Sequence, residues 1–125
     1  MEREEQVIQL RPSIICNKRE EQSALEAFQN EVLRPILKFQ NNILHQLFQQ
    51  QLVKFKANWA EMNAVEKKSF FDKQFNGDPF HKHIYIGTVI GLFTIKEFKF
   101  YTNHQKEVHK RIISMLKKRL NSKQI

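Results

Sequence analysis

The chain is predicted to be all-α, a small bundle of five to six helices behind a non-helical or flexible N-terminal arm. Three observations predict it. Only three glycines and three prolines punctuate the 125 residues, too few for a sandwich or barrel, which needs a turn about every 8–12 residues. Four candidate helix starts carry the Ser/Thr/Asn-x-x-Glu/Gln spacing of a capping box, in which a side-chain oxygen accepts from the third amide and the acid or amide reaches back. Apolar residues recur three and four apart, the helical period, and not two apart.

Residues 1–22 form the expected arm. VIQL and SIIC are short apolar runs without a clear period, separated by Arg11-Pro12 and flanked by charge. Such a segment is extended and docked on the body, or disordered. Its Cys16 is the single cysteine of the chain; it excludes an internal disulfide, and beside Ile14 and Ile15 it reads as a small core residue. One helical domain, 23–121, and a short tail, 122–125, follow. Ser23-Ala24-Leu25-Glu26 opens a helix over 24–33. Pro35 restricts the residue before it and suits a first turn, which places a break or kink at Leu33-Arg34 and a second helix over 35–55. Asn63-Ala64-Val65-Glu66 opens a helix over 64–75 that carries Phe70, Phe71 and Phe75 and ends at Asn76-Gly77. Asp78-Pro79 caps and starts the next, 79–92. Its HIYIGTVIGLF run is apolar nearly all round, which suits either a central buried helix or a β-strand, and Asp78-Pro79 favours the helix. Gly87 and Gly91, four apart, would let a neighbouring backbone approach. Thr94-Ile95-Lys96-Glu97 and Thr102-Asn103-His104-Gln105 open the last two helices, 95–101 and 104–120.

Over the stretch Leu33 to Phe48, Leu33, Ile36, Leu37, Ile43, Leu44 and Leu47 gather on one face at about 100° per residue. Gln40 and Gln51 lie in the middle of that face. A buried Gln40 should be hydrogen-bonded, because an unpartnered buried amide costs about 1–3 kcal/mol. The backbone freed at the Pro35 break is its expected partner. Two further readings are a subunit seam, where one polar residue sets register, and a binding pocket shared with Asn41 and His45.

Charge is unevenly distributed. The chain carries a net +8, and residues 103–125 hold seven cations against Glu107 alone. Lys106, Lys110 and Lys117 fall within about 40° of one another on the last helix, opposite Val108, Ile112, Met115, Leu116 and Leu120. The stripe is a candidate grip for a polyanion or nucleic acid; a solvated face near a helix C-terminus is the plainer reading. No metal or cofactor is expected. On a helix His81 and His83 diverge by about 200°, and His104 with Glu107 forms no known ligand spacing. No catalytic residue is assigned, because neither a nucleophile elbow nor a Gly-rich phosphate loop occurs. MEREEQVIQL lacks a signal pattern, and the apolar run Ile84 to Phe93 is half the roughly twenty residues a membrane span needs. The expected location is the cytoplasm, with no membrane contact.

FQNEVLRPILKFQNNIL, EKKSFF, IGTVIGLFTIKEF and HKRIISMLKKRL, in that order and spacing, resemble a small bacterial family of similar length labelled glyoxalase. The likeness runs from about Phe28 to Leu120 and rests mostly on the blocks Arg34 to Asn41 and Ile90 to Thr94. It leaves out the first 20 residues and brings no site residues with it. Its label implies a glyoxalase-like lyase. The residues themselves show neither strand alternation nor a metal-ligand set for that chemistry, and so lean away from an enzyme. The first reading is therefore a binding or protein-interaction module, self-associating or meeting another protein. The alternatives are the lyase and a basic nucleic-acid-associated protein acting through the C-terminal helix.

Overall fold

The computed structural model describes residues 2–14, 22–77 and 79–122, and every regular element among them is helical. Ile15 and Cys16, with the rest of 15–21, and the Asp78 cap lie outside the described residues. Seven helices, where five to six were expected, make up the described fold: α1 (Arg3–Leu10), α2 (24–39), α3 (Asn41–Lys54), α4 (64–77), α5 (Pro79–Ile90), α6 (Ile95–Asn103) and α7 (Gln105–Ser122). None of them is long and apolar enough to cross a membrane.

The first correction is α1, where an extended or disordered arm was expected. Its charged residues are partners for the turn between α5 and α6. Arg3 donates to the carbonyls of Phe93 at 2.7 Å and Gly91 at 3.1 Å, and Arg11 donates to that of Leu92 at 2.8 Å. The Arg11 guanidinium also grips Glu97 through both nitrogens, at 2.5 and 2.7 Å. The Glu4 carboxylate accepts from the Ile95 amide at the start of α6. Carbonyls at the end of one helix and an amide at the start of the next thereby find partners.

The second correction concerns Pro35. The chain does not break at Leu33-Arg34; Arg34 is helical (φ −61, ψ −48) and its amide reaches back to Gln29. Proline removes one amide and presses on the carbonyl four residues earlier. A wide π-helical turn over Gln29–Leu33 makes room for it. The joint comes later, at Gln40 (φ −85, ψ 4) between α2 and α3. Leu33, Ile36, Leu37 and Leu44 are buried as expected, but the joint resets the helical phase and leaves Ile43 50% exposed. Helix α3 then ends in two nested bonds, Lys56 N–H to Val53 at 3.1 Å and Ala57 N–H to Leu52 at 2.8 Å, with Lys56 at φ 52 in the left-handed position glycine usually fills.

Three of the four expected boxes start helices. Ser23 accepts from Glu26, while Asn63 with Glu66 and Thr94 with Glu97 form the full reciprocal pair. The fourth does not. Thr102 lies in the last turn of α6, its hydroxyl donating to the Lys99 carbonyl at 2.8 Å, and α7 begins only after His104.

Helix α7 is the central strut, a place the sequence suggested for α5. Its Val108, Ile112, Leu116 and Leu120 are wholly buried and meet α2, α3, α5 and α6. Helix α5, although apolar nearly all round, buries one side only, through His81, Tyr85, Ile86 and Val89. Seven of the eleven phenylalanines pack in or against the core. Phe48 stacks on Phe71 at 5.2 Å and meets Trp59 edge-on at 5.1 Å; Phe28 meets Phe93 edge-on at 5.5 Å. Such pairs add about 0.5–1.5 kcal/mol each beyond their buried area.

Candidate functional site

The basic face of α7 is a consequence of its buried face. Four apolar residues spaced every fourth position fix the rotation of the helix, and the lysines between them must point away from the core. Its cations then divide by type. Arg111 donates to the Gln29 side chain at 2.7 Å and Arg119 to the Asn41 side chain at 3.2 Å, so both arginines tie α7 to α2 and α3. The lysines line two grooves.

One groove, of about 590 Å³, runs between α5 and α7 and is lined by Lys82, Lys106, His109, Lys110, Ile113, Ser114, Lys117 and Lys118, with Asn76 at its end. The other, of about 510 Å³, lies between α4 and α7 and adds Lys67, Lys68 and Asp72. Lys117 and Lys118 form the wall common to both. Asp72 is the one carboxylate in the pair of grooves, and it bonds Lys117 at 3.0 Å with both side chains well exposed. Lys67 sits over the Trp59 ring at 4.9 Å. Among the described residues no carboxylate pairs with Lys82, Lys106, Lys110 or Lys118. Their mutual repulsion is unrelieved within the described chain.

His109 sits in this cationic setting with its ring against Tyr101, Nε2 to hydroxyl 2.5 Å. The Tyr101 oxygen also accepts from the Gln105 amide at 3.3 Å, which leaves its proton for His109. Burial first, then the charges of Lys82 and His83, hold the His109 pKa below its usual value. The imidazole is a neutral acceptor at neutral pH.

Of the sequence candidates, Lys106, Lys110 and Lys117 come together in one groove as the stripe required. Lys118, not one of the stripe's three lysines, joins them, and so do Lys67 and Lys68 of α4 and Lys82 of α5. Nothing local in the sequence relates these three to α7. Gln40, Asn41 and His45 do not share an acceptor or donor. The Gln40 amide is half-buried and donates to the Thr88 carbonyl at 2.9 Å, and not to backbone near Pro35. That carbonyl is free because the Leu92 amide turns to Val89. Asn41 is held by Arg119, and His45 lies half-buried one turn on. Gln51 is buried as its phase required, accepting from the Tyr85 hydroxyl at 2.6 Å. His81 is buried and His83 exposed, and no group of three or more metal-ligating side chains forms among the described residues. No family model, curated protein or solved structure matches this chain.

Proposed function

We propose that the protein is a binding module whose ligand is a polyanion, a nucleic-acid backbone in the first instance, held along the two lysine-lined grooves on either side of α7. One observation carries this reading: two adjoining concave surfaces present seven lysines against Asp72 alone, around the common wall of Lys117 and Lys118. From Lys106 to Lys117 the helix rises about 16 Å, enough to follow roughly five phosphates of one strand. Phe71, the aromatic residue of the grooves, is buried, which supports contact with phosphates over base stacking and so recognition without sequence preference.

Fluorescence anisotropy of a labelled oligonucleotide across a salt series tests the reading. Affinity should fall linearly on logarithmic axes, with a slope of about −0.9 per phosphate contacted on duplex and about −0.7 on single strands. Reversing Lys106, Lys110 and Lys118 to Glu should abolish binding at low salt and leave the melting temperature nearly unchanged, since exposed charges contribute little to stability. Absence of binding at low salt, or binding that survives the triple reversal, refutes the proposal.

A further inference from the structure

Five of the six ionisable side chains in the groove between α5 and α7 are lysines, which stay charged from acid to mildly alkaline pH. The sixth is His109, whose charge changes within that range. Its ring is half-buried and fixed at one nitrogen: Nε2 meets the Tyr101 hydroxyl at 2.5 Å, and Gln105 holds that same oxygen. The two rings lie tilted together with centroids 5.4 Å apart. Each element around the imidazole contributes a known group. Helix α5 brings Lys82 and the exposed His83, α6 brings Tyr101, and α7 itself brings Gln105, Lys106 and Lys110. Helix α4 brings the uncharged Asn76 to the end of the groove. No carboxylate lines it, and Glu107, two residues before His109, points about 200° away around α7. Burial, Lys82 and His83 therefore all oppose a proton on the ring.

We propose that a phosphate backbone seated in this groove brings His109 its proton, so that the grip gains a cation and tightens in mild acid. The proposal rests on the polyanion reading and names how that same site is regulated. Phosphates that neutralise the lysines remove the repulsion felt by the ring, and a phosphate oxygen near it favours the imidazolium directly. By linkage, a ligand that raises the proton affinity of the ring must bind more tightly when the proton is present. The imidazole is neutral in the protein alone at neutral pH, so binding takes a proton up. Affinity is greatest below the pKa of the free ring, falls as pH rises through the interval between the free and loaded values, and is level above it. The ring keeps its place throughout. Once charged, Nε2 donates to the Tyr101 oxygen from which it formerly accepted, the same contact with its direction reversed. An opposite charge at contact distance moves a pKa by about one or more, and one is worth about tenfold in affinity.

Fluorescence anisotropy of a labelled oligothymidylate with the full chain, from about pH 5 to about pH 8 at constant ionic strength, tests it. The His109 ring is followed by NMR over the same range, with and without the oligonucleotide. Thymine and the phosphodiester keep their charge across this range, so any proton taken up belongs to the protein. Affinity of the parent should rise roughly three- to tenfold toward the acid end, where the salt slope should steepen by about 0.7. The titration of the His109 ring should move to higher pH when the oligonucleotide is bound. His109→Gln should lose most of the rise, and His83→Gln should keep it. Binding equally tight at both ends of the range overturns the proposal and leaves the polyanion reading standing. So does a rise that survives His109→Gln, or a ring titration that the oligonucleotide does not move. Absence of binding throughout the range removes both.

Discussion

Removing one oxygen, by Tyr85→Phe, tests how the core was assembled around a polar pair. The Tyr85 hydroxyl is 2.6 Å from the Gln51 carbonyl oxygen; Tyr85 is 1% and Gln51 6% exposed. Burial pushes the Tyr85 pKa well above its usual value, so the hydroxyl is a donor throughout the working pH range. Phenylalanine fills the same space and opens no cavity. What is lost is the bond, and what remains is a buried amide oxygen without a donor, which costs about 1–3 kcal/mol. We expect about 2 kcal/mol, or roughly 8 °C in melting temperature for a domain of this size. Gln51→Leu, which strands the hydroxyl, should cost a similar amount. The double variant removes both polar groups and should cost about 1 kcal/mol or less, because an apolar pair of similar shape leaves nothing unpaired. Urea and thermal unfolding followed by circular dichroism provide the four corners of the cycle. A Tyr85→Phe variant as stable as the parent would refute the argument, and so would a double variant whose loss equals the sum of the single ones.

Two further outcomes follow from the helix ends. At Glu97, burial opposes the charged form, but the hydrogen bonds from Arg11 and Thr94 and the charge of Arg11 outweigh it and hold the pKa below the ordinary carboxylate value. The unfolded chain therefore binds the extra proton first. The pair's stabilisation is complete above the unfolded value and lost as pH falls through the folded one, so acid unfolding should steepen below about pH 4. Arg11→Met should remove that part of the acid limb and cost about 3 kcal/mol at neutral pH, the lower end for breaking a buried pair; an unchanged pH profile would remove α1 from the folded core. At Lys56, held at φ 52, substitution by glycine should stabilise the protein by about 0.5–1 kcal/mol in urea unfolding, because the left-handed position costs a side-chain-bearing residue. Destabilisation would mean that the lysine side chain contributes more than its backbone conformation costs.

The pattern of success follows the range of the interactions. Three helix starts were legible because a capping box is closed within four residues: Ser23, Asn63 and Thr94 each find their partner inside the first turn. The same spacing at Thr102 misled, because that hydroxyl has a competing acceptor one turn back in α6. The phase that buried Leu33, Leu37 and Gln51 was readable from a helical repeat. It failed at Ile43, because the joint at Gln40 was displaced by the π-turn that absorbs Pro35.

The amino-acid sequence by itself determined that the chain is helical, where most of its helices begin, that α7 has one apolar and one cationic face, and that Gln51 lies inside. Each of these depends on groups within about two helical turns of one another, so the covalent order of residues suffices. Tertiary structure alone decided the rest. Arg3 and Arg11 serve a turn some eighty to ninety residues away, and α1 is ordered by that contact and not by its own weak period. Lys67, Lys68 and Lys82 reach α7's lysines only because α4 and α5 pack on either side of it. Helix α5 was apolar enough for burial on every side, but α7 took the central position and left Phe80, Ile84 and Gly87 at the surface. Local order selects a helix and its faces; which faces are covered depends on a competition among all of them for one core, and no single stretch contains its outcome.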